Sequence, residues 1–195
     1  MEALSQDPLE LFEHWFAEAK RAGVEVPEAM TLATATGGGV PSARMVLLKG
    51  ADEDGFVFYT GYGSRKSDEL EQNQRAALVF YWRPLGRQVR VEGSVEKVSE
   101  PESAAYFATR PRGSQLAAWA SQQSRPLRSR EELDRRYAEL EREYEGRDVP
   151  LPPHWGGYRL HPEAIEFWEH RENRLHDRLR YARAREGWKV ERLSP

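Results

Sequence analysis

Met30-Thr31-Leu32-Ala33-Thr34-Ala35-Thr36, then Gly37-Gly38-Gly39, then Pro41-Ser42-Ala43-Arg44-Met45-Val46-Leu47-Leu48-Lys49: two alternating runs around a glycine turn give this chain a period of two. Side chains that change face at every residue belong to strands, and a glycine turn sends the second strand back antiparallel to the first. The pattern continues downstream. Asp52-Glu53-Asp54-Gly55 turns into a third strand at Phe56–Thr60, and Arg83-Pro84-Leu85-Gly86 joins strands at Arg75–Trp82 and Arg87–Val98. Ser67–Gln74 reads as a short helix between them. A meander of about five such strands predicts a small antiparallel barrel.

On both sides of this stretch the period lengthens. Asp7 can cap a helix, Pro8 suits its first position and Glu10 completes a capping-box spacing. Leu9, Phe12, Trp15, Phe16 and Ala19 then recur at helical spacing as far as Gly23. Ser99-Glu100-Pro101-Glu102 opens a second helix over Pro101–Arg110, which Pro111 stops, and Ser129-Arg130-Glu131-Glu132 opens a third, running to Gly146. Short strands follow at Trp155–Leu160, Ala164–Glu169, Leu179–Ala182 and Trp188–Leu193. No repeat or long linker divides the chain, so residues 1–195 read as one domain, mainly β with flanking helices (α+β).

Composition removes several functions. The 195 residues hold no cysteine, which excludes a disulfide scaffold, a zinc ribbon and a thiol nucleophile. The five histidines show no metal-ligand pairing, so no metal site is expected. A net charge of −3 argues against nucleic-acid binding. No apolar run approaches the roughly 18 residues of a membrane span, and no secretion signal opens the chain. The expectation is a soluble protein of the cytoplasm. Of the 29 basic residues only five are lysine, leaving 24 arginines, the side chain suited to gripping phosphate and carboxylate with two bonds.

Four strings concentrate chemistry. Gly61-Tyr62-Gly63-Ser64-Arg65-Lys66 is neither a dinucleotide fingerprint nor a Walker loop, yet backbone amides, a helix start and two cations meet there, as a terminal phosphate requires. Arg44 and Lys49 are the cationic ends of an apolar strand. Tyr106 and Arg110 are four apart on a predicted helix with Ser114 just beyond its end, a second set of anion donors. In an extended Arg174-Leu175-His176-Asp177-Arg178, residues 174, 176 and 178 share a face, and Trp168 upstream offers a flat contact for a ring. Singly, each also fits a plain surface role.

In order, however, these strings resemble one family. Asp7-Pro8-Leu9, Arg44–Lys49, Phe58-Tyr59-Thr60, Gly63-Ser64-Arg65-Lys66, Arg87-Gln88-Val89, Tyr106-Phe107, Arg110-Pro111-Arg112, Gln122-Gln123-Ser124, Trp155-Gly156-Gly157, Ile165-Glu166-Phe167-Trp168 and Arg174–Arg178 are similar to the motifs of pyridoxamine 5′-phosphate oxidase, the FMN enzyme of vitamin B6 metabolism. The resemblance implies an FMN-binding split β-barrel of antiparallel Greek-key type. It also implies a homodimer with FMN between subunits, in which the segment from about residue 150 onward completes the active site. By matching position, the FMN contacts would be Arg44, Met45, Val46, Leu47, Leu48, Lys49, Tyr59, Thr60, Arg65, Lys66, Gln88, Gln123, Ser124, Trp168 and Arg178. Substrate contacts would be Lys49, Tyr106, Arg110, Ser114, Arg174, Leu175 and His176, with Arg174 and His176 beside the reacting carbon.

The implied reaction turns pyridoxine or pyridoxamine 5′-phosphate into pyridoxal 5′-phosphate, with dioxygen as acceptor giving hydrogen peroxide, and ammonia from the amine. Two readings stand beside it: a related flavin oxidase with another substrate, as in phenazine pathways, and a protein that binds FMN or pyridoxal phosphate without turnover. The chain departs from the family in two places. Only six residues precede Asp7, which implies a short lid over the substrate or none, and His170-Arg171 replaces a glycine pair, which implies a stiffer loop.

Overall fold

The computed structural model describes residues 7–195. The six residues before Asp7, on which the expectation of a short lid falls, lie outside the described residues. Nine strands form one antiparallel sheet with five α-helices packed around it. In chain order these are α1 (Pro8–Arg21), β1 (Ala29–Ala35), β2 (Pro41–Leu47), β3 (Gly50–Asp52), β4 (Gly55–Gly61), α2 (Arg65–Gln72), β5 (Arg75–Trp82) and β6 (Arg87–Lys97). Then come α3 (Glu100–Ala108), α4 (Arg112–Ala120), α5 (Arg130–Glu143), β7 (Trp155–Glu169), β8 (Asp177–Arg183) and β9 (Trp188–Arg192).

The mainly β, α+β expectation is met, but the simple meander is corrected. The spatial order is β2-β1-β5-β6-β7-β4-β3, with β8 and β9 added beyond β7. Strand β4 pairs not with its sequence neighbour β5 but with β7, a hundred residues on, at Tyr59↔Gly157. Helix α2 sits between β4 and β5, and a connection of that length carries the chain across the sheet instead of turning it straight back. The sheet curls because β7 is long and bent. Residues 155–160 and 164–169, read as two strands, are one, with Glu163 the extra residue of a bulge opposite Glu92 and Gly93. Gly93 makes the close approach possible, since a Cβ there would lie 1.9 Å from the His161 carbonyl oxygen.

Helix α1 closes the sheet's concave side. Asp7 accepts from the Leu9 amide at 2.9 Å, and the helical spacing drives Phe12 and Trp15 into the core. Phe12 meets Phe56 edge-on at 4.9 Å and Trp15 meets Phe167 at 5.2 Å, so helix and sheet share one aromatic core. Each such ring buries area worth about 2–3 kcal/mol. A second, smaller core of Phe107, Leu116, Val149 and Trp155 seats α3 and α4 against the start of β7.

Helix α4 was not foreseen. Pro111 does stop α3, but it also stands immediately before a new helix, where its missing N–H costs nothing. Ser114 therefore lies in the first turn of α4 and not in a loop. No helix among the described residues is long and apolar enough to cross a membrane, and no group of three metal-ligating side chains occurs among them.

Candidate functional site

Strands β2 and β4, the start of α2, the α3–α4 corner and the segment after α4 surround a cavity of about 1170 Å³. Its walls include Arg44, Met45, Val46, Leu47, Lys49, Tyr59, Thr60, Lys66, Tyr106, Arg110, Ser114, Gln123 and Ser124. Thirteen positions drawn from distant parts of the sequence thus converge. The space exceeds what one small ring ligand fills.

Lys66 is the most unusual member. It is buried, and its ammonium donates to Thr60 Oγ1 at 2.9 Å, Ser64 Oγ at 3.1 Å and Gln123 Oε1 at 3.3 Å, all neutral oxygens. Burial, helped by the nearby Arg44 charge, pulls its pKa down to about 8. A buried ammonium without a carboxylate is costly to keep charged, and an anionic ligand removes that cost. Ser64 caps α2, so the helix's positive end adds to the same place. Gln123 accepts from Thr60, Gly61 and Lys66 together, fastening the segment after α4 over the site. Ser124 beside it has φ +67°, a left-handed backbone that turns the chain there.

Arg110 repeats the theme elsewhere in the cavity. One terminal nitrogen, Nη1, is buried without a hydrogen-bond partner, and burial lowers the group's pKa. Its guanidinium lies 4.6 Å over the Trp155 ring. Tyr59 and Tyr106 stack at 4.0 Å and continue the wall. Burial first, then the Glu102 charge, pushes the Tyr59 phenol up to about 12, so it stays protonated and able to donate. Gly157 permits this wall, for a Cβ there would meet the Tyr59 ring at 2.8 Å. The period-two reading of β2 also holds, with Arg44 and Val46 turned inward and Met45 and Leu47 exposed. Leu48 is buried just past the strand end, behind the cavity wall.

Two expected FMN contacts are held by the protein itself. Arg44 lines the cavity, but its terminal nitrogens bond the Leu32 carbonyl, Thr34, Ser42 and Glu69. Arg65, exposed and outside the cavity wall, gives Nε to Glu69 at 2.8 Å, leaving its other two nitrogens toward solvent. Glu69 itself went unread in the sequence. Its spacing of four from Arg65 was the available signal.

The remaining predicted residues gather somewhere else. Gln88, Trp168 and Arg178 sit opposite one another on β6, β7 and β8. The His176 ring packs 4.6 Å from Trp168, and Arg178 is tied to Glu166 at 2.8 Å and to the Ser194 carbonyl at 2.9 Å. The extended reading of Arg174–Arg178 is corrected. Asn173 and Arg174 have φ of 56° and 62°, and β8 begins only at Asp177, so residues 174, 176 and 178 do not share one strand face. Two left-handed residues together turn the chain sharply, and Arg171 braces the turn through Glu169 and Asp177. Arg174 and Leu175 stand exposed at its tip. Burial, then His170 and Arg174, hold the His176 pKa below its usual value. The Arg171 amide donates to His176 Nδ1 at 3.2 Å, so the neutral ring carries its proton on Nε2.

Along β7, Trp168 lies eleven residues from Gly157, the partner of Tyr59, which is up to about 35 Å of strand. The predicted residues therefore form two groups in one chain: a cavity with under-neutralised cations and a strand-end platform.

Residues 16–143 match the family described as pyridoxamine 5′-phosphate oxidase, and residues 155–195 match the pyridoxine 5′-phosphate oxidase C-terminal dimerisation region. The pyridoxine/pyridoxamine 5′-phosphate oxidase of Rubrobacter xylanophilus is 68% identical over 97% of this chain and 87% of its own length. That of Bordetella pertussis is 54% identical over 100% and 92%. Among solved structures, PhzG from Burkholderia lata 383, in complex with tetrahydrophenazine-1-carboxylic acid, superposes with a TM-score of 0.94 at 36% identity, covering 100% of this chain and 99% of that one. An FMN-binding protein from Nostoc punctiforme, TM-score 0.78 at 19% identity over 99% of this chain and 100% of its own, shares the fold. The curled antiparallel sheet is thus a split barrel, and the chain belongs to the pyridoxamine 5′-phosphate oxidase family.

Proposed function

We propose that the chain oxidises pyridoxamine and pyridoxine 5′-phosphates to pyridoxal 5′-phosphate, as a cytoplasmic homodimer with FMN bound between subunits. With the alcohol, substrate and dioxygen give aldehyde and hydrogen peroxide. The amine consumes one water as well and releases ammonia. The observation that carries this reading is the pair of under-neutralised cations, Lys66 and Arg110, at two points of one roomy cavity. Two ligands, each with a ring and a phosphate, answer both.

FMN fits the residues present. Lys66, Ser64 and the first turn of α2 offer its phosphate one cation and a helix end, with Arg65 adjacent in sequence and exposed. Strand residues Arg44 to Lys49, with Tyr59, Thr60, Gln123 and Ser124, line the space for the rest. When bound, FMN would supply the two-electron acceptor that no side chain provides, with dioxygen as the final oxidant.

The substrate phosphate is held by Arg110, with Lys49, the Tyr106 hydroxyl and the Ser114 hydroxyl at the start of α4. The strand-end platform completes the site from the second copy: Gln88, Trp168 and Arg178 against the flavin, and Arg174, Leu175 and His176 over the substrate ring. The length of β7 separating the two groups within one chain supports this division. With Nδ1 already accepting from Arg171, neutral His176 presents an Nε2 proton, so it acts as a hydrogen-bond donor that orients the substrate at C4′. Arg174 adds a cation, free of protein partners among the described residues, where negative charge develops.

Oxygen uptake by the purified yellow protein with pyridoxamine 5′-phosphate tests the proposal. Stoichiometric uptake with pyridoxal 5′-phosphate formation supports it, and none overturns it. The close superposition on PhzG keeps a second reading in view, oxidation of a reduced phenazine acid. Arg110 and Ser114, which a phenazine carboxylate would engage differently from a phosphate, separate the two: Arg110→Met should abolish selection for phosphorylated over unphosphorylated pyridoxamine.

A further inference from the structure

We propose that Glu69 is a positioning residue for the flavin-phosphate grip, a buried carboxylate that fixes the rotation of helix α2 and thereby the place of Lys66 and Arg65. The inference rests on the reading of the Lys66 pocket as the site of the flavin phosphate.

Glu69 is 2% exposed, and donors from three elements converge on it. Oε2 accepts from Thr34 on β1 and from Ser42 and Arg44 on β2, the last at 3.1 Å, while Oε1 accepts from Arg65 one turn back on α2 at 2.8 Å. These donors hold the carboxyl far below its usual range, at about 2, against the opposing effect of burial. An apolar residue could seat a helix on a sheet without burying a charge, so packing alone does not account for a carboxylate here. Its geometry does. Glu69 is one turn beyond Lys66, so anchoring it to β1 and β2 sets which way the Lys66 ammonium points. Engaging Arg65 through Nε leaves that residue's two terminal nitrogens free and turned together, the arrangement that grips a phosphate with two bonds. Arg44, whose terminal nitrogens bond Leu32, Thr34, Ser42 and Glu69, braces the same carboxylate.

A counter-charge and a positioning residue give opposite signs when neutralised. The test is the dissociation constant of FMN and of riboflavin, which lacks the phosphate, measured by flavin fluorescence on the full-length apo-dimer for wild type and Glu69→Gln. Positioning predicts that the preference for FMN over riboflavin falls by at least about tenfold while riboflavin affinity stays within about twofold. If Glu69 only balances charge, its neutralisation leaves two unopposed guanidinium groups near the phosphate and FMN binds more tightly, which overturns the inference. An unchanged preference with a lower melting temperature also overturns it, as a purely structural role. Should Glu69→Gln fail to fold, Ser42→Ala with Thr34→Val removes two of the donors and must shift the preference the same way, and no shift overturns the proposal. A wild-type protein that does not distinguish FMN from riboflavin instead defeats the reading of the Lys66 pocket itself, and the inference with it.

Discussion

Lys66 and Arg178 are cations assigned to the same ligand and built in opposite ways. Lys66 is buried among neutral oxygens, with its pKa pulled down to about 8. Arg178 is half exposed and bound to Glu166, a carboxylate it shares with Arg90. The cavity around Lys66 and Arg110 is short of negative charge, whereas Arg178 on the strand-end platform is balanced within the protein. In the proposed assembly an incoming phosphate would draw its binding energy from the cavity, and the ring it carries would be oriented against Trp168 and His176 of the platform.

Breaking each side should show that difference. Lys66→Met should weaken FMN binding by about 100-fold, the size expected for losing a buried charge-assisted contact, with riboflavin binding and melting temperature unchanged or slightly improved. Flavin titration and thermal unfolding read the two effects. Arg178→Ala should act the other way, on stability first, at a cost of about 2 kcal/mol, because Glu166 keeps only the 3.5 Å contact with Arg90. Denaturant unfolding measures it.

The cavity should also respond to alkali. With a free-site pKa near 8, Lys66 must take up a proton to bind an anion at higher pH, so FMN affinity should fall about tenfold per pH unit above that value. Apo-protein stability should move oppositely. The unfolded chain binds more protons than the folded one between about 8 and the ordinary lysine value of 10.5, so the penalty of burying the charge fades as pH rises through that window. At the weak end, Arg130→Ala breaks an exposed pair with Asp134 on α5 and should change stability by less than about 0.5 kcal/mol. A larger loss would mean that charged helix does more than face water.

Much of this was legible from local pattern. The period-two runs gave β1, β2, β5 and β6 within a residue or two, because alternation and glycine turns are local properties. Tyr106 and Arg110 were readable as neighbours, although α3 ends at Ala108 and Arg110 lies just past it and not on the helix as the spacing predicts. What was not legible depended on distant partners. Nothing near Phe58 says that β4 pairs with β7, and residues 155–160 and 164–169 read as separate strands until Gly93 on β6 accommodates the bulge between them. The left-handed turn suits Asn173 but runs against the preference of Arg174, and it is held by Arg171. Glu69 looked like one more charge on a polar helix, since only the fold brings Thr34 and Ser42 to it.

The division of the site between two copies is tested most directly by mixing two inactive chains. Lys66→Met disables a cavity and Arg174→Ala disables a platform. In a mixed dimer, if cavity and platform come from different copies, one site carries both defects and the other carries none. An equal mixture of the two chains, refolded together, should recover about a quarter of wild-type turnover, since half the dimers are mixed and each has one intact site. Recovery at that level is the predicted result. No turnover above that of either variant alone would mean each chain builds its own site, and would contradict the account.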